Sequence, residues 1–146
     1  MIGWKKVVVG LGIGTVFAAG VYAGMSLRSA EAAPAENARV YELRTYHCNP
    51  GKLDALNERF ANHTNRLFVK HGMTLVGYWT PIGEGSDDTL IYVIGHESRE
   101  AARKNWSGFV NDPEWKKVAA ESEKDGKILE GIESVYLTPT DYSPLR

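Results

Sequence analysis

Cysteine is almost absent from this chain: Cys48 is the only one among 146 residues. An intrachain disulfide is therefore excluded in any redox compartment, and no Cys pair exists to hold a metal. Cys48 falls at the end of a predicted strand, where a small packed side chain suits it better than a bridge between subunits. Histidine is scarce too, with four copies. His47 and His96 fall at opposite ends of the sheet, and His63 and His71 lie eight residues apart on one helix. No spacing of the His-Glu-x-x-His kind appears, so a metal site within one subunit is not expected. No Gly-x-Ser-x-Gly nucleophile turn is present, and Cys48 has no histidine partner beyond the adjacent His47. Lysine and arginine form no cluster outside the first 35 residues, which argues against nucleic acid as a partner.

What the chain does have is a leader. "MIGWKKVVVGLGIGTVFAAGVYAGM" sets Lys5 and Lys6 before a run, Val7 to Met25, without a charged side chain. The small-residue stretch "SLRSAEAAPAEN" follows, with Ala30-Glu31-Ala32 and Ala33-Pro34-Ala35 both fitting a small-x-small cleavage site. This is the pattern of an export signal. The run is also close to the ~20 residues that span a bilayer, so an uncleaved anchor over residues 4–25 stands as the alternative. Residues 1–35 are thus read as signal or anchor plus linker, and 36–146 as the folded domain. The expected location is periplasmic or secreted, or else tethered to the inner membrane. One arginine and no basic amphipathic face argue against a mitochondrial presequence. Without the leader, the charge balance is modestly acidic.

Val40 to His47 alternates like a strand. Asn49 and Pro50 read as the cap and first residue of a helix whose apolar positions include Leu53, Leu56, Phe60, Leu67 and Phe68. Gly72 ends it. Met73 to Pro81 and Thr89 to Glu97 are two more strands. Ser98 caps a second helix, broken at Asn111-Asp112-Pro113 and restarted by Asp112 as a fresh cap. Gly126 stops it, and the stretch from Glu130 is the fourth strand. The order βαββαβ predicts an α+β fold: a ferredoxin-like antiparallel sheet, ordered 4-1-3-2, with both helices on one face.

A sheet covered on one face only must account for the other. Tyr41, Leu43, Thr45, Ile91, Val93, Gly95, Val135 and Leu137 form the more apolar parity, which assigns them to the helices. Glu42, Arg44, Tyr46, Leu90, Tyr92, Ile94, His96, Ile132, Ser134 and Tyr136 form the other. Their aromatics and aliphatics do not suit a bare wet surface. The expectation is that this second parity packs on a second copy, enclosing a partly polar cavity between two subunits.

Several segments together resemble the NIPSNAP family in order and spacing: "VYELRTYHCNPGKLDAL", "HGMTLVGYWTP", "HESREAARKNW…NDPEWKKV" and "ESVYLTPTDYSPL". The resemblance spans about residues 39–145. It implies a dimeric α+β barrel and supplies no reaction, since the family has no generally accepted catalytic motif. Animal members are associated with mitochondria; this leader departs from that, so their partners are not carried over.

The candidate cavity residues are Glu42, Arg44, Tyr46, Tyr78, Tyr92 and Tyr136. Arg44 could grip a ligand carboxylate with Glu42 tuning it, or the two could be a structural ion pair. His96 is the acid–base candidate, weighed against a hydrogen-bonded core histidine. Trp79, Trp106 and Trp115 read as core and interface. Two functions follow. One is an exported homodimer that binds a small apolar or aromatic ligand, or a protein, without cofactor. The alternative is an oxidoreductase of the cofactor-independent oxygenase or haem-degrading kind, in which Arg44, Tyr46 and Tyr92 hold a quinol-like substrate and His96 accepts a proton.

Overall fold

Alternating side chains make Val40–Cys48 the first strand, β1. The computed structural model describes residues 39–145. The leader, with its export, cleavage and domain-boundary expectations, lies outside the described residues. Among the described residues, no helix is long and apolar enough to cross a membrane.

The chain leaves β1 through a turn in which Lys52 N–H donates to Asn49 O at 3.0 Å and Gly51 adopts φ +73°. The helix therefore starts at Leu53 and not at Pro50, and Lys52 caps it without a side-chain bond. Asn49, expected as the cap, instead donates its side-chain amide to Lys127 O at 3.0 Å. It ties the turn to the approach of the last strand.

Helix α1 (Leu53–Arg59) passes into α2 (Asn65–Lys70) through a π-helical stretch, Phe60–Thr64. Here Asn65 N–H reaches back to Phe60 O, and Thr64 Oγ1 donates to Arg59 O at 3.2 Å. The hydroxyl thus adds a side-chain bond within the widened turn and keeps the buried Thr64 oxygen satisfied. The end of α2 is a Schellman motif: Gly72 at φ +80° donates to Val69 O and Met73 to Phe68 O, each at 3.0 Å.

Strands β2 (Thr74–Trp79) and β3 (Thr89–His96) follow, then α3 (Arg99–Asn111), α4 (Pro113–Ser122) and β4 (Leu129–Leu137). Ser98 Oγ accepts from Ala101 N–H at 3.0 Å, and Asp112 Oδ1 accepts from Glu114 N–H at 2.8 Å. Both caps are those the sequence predicts. The sheet is antiparallel with order β2-β3-β1-β4, also as predicted.

The faces are the reverse of expectation. Glu42, Tyr46, Leu90, Tyr92, Ile94 and His96 are buried under the subunit's own helices, in one core with Leu56, Phe60, Leu67, Phe68 and Phe109. Cross-strand register puts Ser134 beside Arg44, Tyr136 beside Glu42 and Ile132 beside Tyr46, so they share that face. The parity assigned to the helices lies on the side away from them: Val135 is 53% exposed and Leu137 41%, while Tyr41 is buried there, and Trp79, paired with Ile91, is on the same side and 52% exposed. The physical reason is volume. Tyr46, Tyr92 and Ile94 are large enough to fill the gap between sheet and helices, whereas Gly95, Gly77 and Val93 leave their face thin. On that face the Trp79 ring folds over Gly77, where an added Cβ would lie 2.6 Å from Cη2.

Candidate functional site

Because the polar parity faces the helices, the cavity lies within a single chain, between its own sheet and helices, and not on a sheet face turned toward a second copy. It has a volume of about 560 Å³. Glu42, Arg44, Tyr46, Ile132, Ser134 and Tyr136 form its sheet side, and Arg59, Phe60, Thr64, Phe68, Trp106, Phe109 and Trp115 are among the helix residues around it. The π-helical stretch supplies Phe60 and Thr64, with Arg59 just before it.

Glu42 is the centre of the polar end. Oε1 accepts from Arg44 Nη1 and Ser134 Oγ, both at 2.6 Å. Oε2 accepts from Trp106 Nε1 at 2.6 Å and from His96 Nε2 at 3.2 Å. Burial alone would push its pKa up; the hydrogen bonds from His96, Ser134, Trp106 and Arg44 outweigh that and hold the carboxyl well below its usual range. Arg44 also stacks on Trp106, its guanidinium carbon 4.5 Å from the ring centroid. Beyond Glu42, Arg99 lies over the Tyr136 ring at 3.3 Å.

A phenol chain runs deeper. Tyr92 donates its hydroxyl to Tyr46 at 2.9 Å, and Arg44 Nη2 donates to the same oxygen at 3.4 Å. With both acceptor positions used, the Tyr46 proton remains for an oxygen in the cavity. Tyr78 stacks on Tyr92 at 5.5 Å, and burial pushes its pKa to about 12.

Of the sequence candidates, Glu42, Arg44, Tyr46 and Tyr136 line the cavity. Tyr92, Tyr78 and His96 stand behind that wall. His96 is 1% exposed; its Nε2 faces Glu42 and its Nδ1 faces Asn105 Nδ2 at 3.3 Å. The imidazole supports Glu42 and does not reach the cavity. Haem therefore finds no imidazole to bind its iron among the lining residues. Among the described residues no cluster of three His, Cys, Asp or Glu side chains could hold a metal ion.

Arg59 and Thr64 also line the cavity and were not singled out in the sequence, and Trp106 and Trp115, read there as core and interface, line it as well. Arg59 left a trace: it falls three residues after Leu56 on the apolar stripe, where a cation would otherwise be out of place. It is 5% exposed, its Nη1 lies 3.2 Å from Ser122 Oγ and 3.5 Å from Glu123 Oε1, and its guanidinium sits 5.4 Å from the Trp115 centroid.

A family model for NIPSNAP matches residues 41–144. No curated protein matches the chain. Among solved structures, a NIPSNAP-like domain protein of Burkholderia xenovorans aligns with TM-score 0.65 and 18% identity, over 74% of this chain and 90% of that one. The fold is shared further with two Streptomyces enzymes. A monooxygenase of S. coelicolor, solved with nanaomycin D, gives TM-score 0.52 at 16% identity over 73% and 92% of the two chains. The cofactor-independent oxygenase SnoaB of S. nogalater gives 0.50 at 14% identity over 73% and 98%.

Proposed function

This chain belongs to the NIPSNAP family, and from that premise we propose that it binds a small aromatic ligand in the cavity between its sheet and its helices. The observation that carries this reading is the composition of the wall. Phe60, Phe68, Trp106, Phe109 and Trp115 offer apolar and aromatic surface, while Arg44 and Tyr46 present donors at one end. A largely apolar pocket with a few convergent polar groups is the usual form of a small-molecule site, and its size is within the usual range.

Binding, rather than turnover, is favoured by the state of the titratable groups. Glu42 accepts four hydrogen bonds and is held as an anion, and both His96 nitrogens are engaged. Neither is free to take a substrate proton. The binding as proposed uses no cofactor. Native mass spectrometry of the full-length protein tests the reading: a co-purified aromatic compound, lost when the cavity is filled by Ala119→Phe, supports it. An empty cavity that takes up no aromatic compound would sink it.

A second reading is a cofactor-independent oxygenase. Its support is the fold shared with SnoaB and with the nanaomycin D-bound monooxygenase, together with the spare Tyr46 proton. Oxygen uptake with an aromatic quinol, abolished by Tyr46→Phe, would establish it over the first.

We propose further that a second copy of the chain covers the open face. Leu43, Ile91, Val93, Trp79, Val135 and Leu137 form an apolar surface there, which a soluble monomer seldom leaves bare. The export reading, with a periplasmic, secreted or membrane-tethered location, rests on the sequence of residues 1–35 alone.

A further inference from the structure

The two arginines of the cavity are not equivalent. Arg44 has its charge matched by Glu42, a buried carboxylate 2.6 Å away that is 1% exposed. Arg59 has no such match. Its nearest carboxylate is Glu123, at 3.5 Å and 36% exposed, and its other side-chain hydrogen bond is to the neutral Ser122 hydroxyl. Both arginines leave Nε buried with no hydrogen-bond partner among the described residues, so the difference lies in the charge: Arg59 is 5% exposed and lacks a buried carboxylate to balance it. A buried guanidinium whose donors are underused is costly unless something fills the vacancy.

That group lines the cavity beside Trp115 and the π-helical stretch. From this asymmetry we infer that the ligand is an aromatic acid, with its carboxylate at Arg59 and its ring among Phe60, Phe68 and Trp106. The carboxylate would replace Glu123 as the partner of Arg59, since a guanidinium pairs best with a carboxylate in a short, two-bond geometry. At the far end, Tyr46 and Arg44 would meet a neutral oxygen, because Glu42 already balances the charge there. The inference rests on the cavity reading above and adds the ligand's charge and orientation to it.

The test uses the full-length protein and two probes of matched shape, 2-naphthoate and the neutral 2-naphthamide, in titration calorimetry. The acid should bind at least about tenfold more tightly than the amide, the ratio expected when one hydrogen bond gains a charged partner. Arg59→Gln should erase the preference, and Arg59→Lys should keep part of it. Glu123→Gln removes the competing carboxylate and should tighten the acid several-fold while leaving the amide unchanged.

Equal affinity of the two probes for the native protein overturns the inference and leaves the cavity reading standing. If neither probe binds, both fall. Should Arg59→Gln fail to fold, the native acid-to-amide ratio and the Glu123→Gln variant still decide, since neither removes the arginine.

Discussion

Trp106, on α3, donates its indole N–H to Glu42 Oε2 on β1 at 2.6 Å, across the layer that separates helix from sheet. One bond thus ties a helix to the central strand pair and fixes the acceptor that Arg44, Ser134 and His96 also use.

Glu42→Ala should therefore be severe. It strands a buried guanidinium, an indole N–H and an imidazole at once, and removing one member of a buried charged pair costs roughly 3–5 kcal/mol. Glu42→Gln should cost less, because its amide oxygen still accepts. Urea unfolding of the three proteins gives the order directly; a near-neutral Glu42→Ala would mean that the network does not hold the layer together.

Acid should weaken the fold in a definite window. The Glu42 carboxyl is held low by its donors, and the Asp112 carboxyl is held low by Lys70 and His71, each at 2.7 Å, and by Glu114 N–H. Groups with depressed folded pKa values stabilise above the unfolded value, and that contribution disappears as pH falls through the folded one. Stability should be level above the ordinary carboxyl range, about 4–4.5, and decline progressively below it. Glu42→Gln and Asp112→Asn should each flatten the decline in melting temperature against pH.

The two faces of the sheet should answer differently to the same charge. Ile94 is fully buried in the core and Val135 is 53% exposed on the uncovered side. Ile94→Glu should abolish folding, as a buried unpaired carboxylate does. Val135→Glu should leave the circular dichroism unchanged and convert a dimer into a monomer in light scattering. A native protein that runs as a monomer would remove the second copy from the open face.

Filling the cavity should cost binding and little else. Ala119 lines it from α4 and is only partly buried. Ala119→Phe should reduce naphthoate affinity by at least about tenfold, comparable to losing one or two good apolar contacts, with the melting temperature close to native. Unchanged affinity would place the ligand elsewhere.

The element order, the strand order and the break at Asp112 were legible because local chemistry dictates them. A Ser or Asp cap, a proline after it and a positive-φ glycine need no tertiary context. Which face of the sheet met the helices was not legible by the same means. Polarity pointed Glu42, Arg44 and Tyr46 outward, whereas the folded chain satisfies them internally through partners from three other elements. Side-chain volume held the better clue: Leu90, Tyr92 and Ile94 outweigh Ile91, Val93 and Gly95 on the same strand. His96, weighed in the sequence between an acid–base group and a hydrogen-bonded core histidine, is buried between Glu42 and Asn105, which no spacing rule links to it. Arg59 stands at the end of α1, just before the widened turn of Phe60–Thr64, and no spacing rule marks either the turn or the Ser122 and Glu123 contacts that hold the guanidinium.

That stretch has the form of a one-residue insertion absorbed within a helix. A π turn accommodates an extra residue while letting the α-helical segments before and after it keep their phase. Deleting a single residue there should leave Leu56 and Phe68 still seated on the sheet but straighten the wall beside Arg59. The wall beside Arg59 is thus open to change by a single deletion, without rebuilding the domain around it.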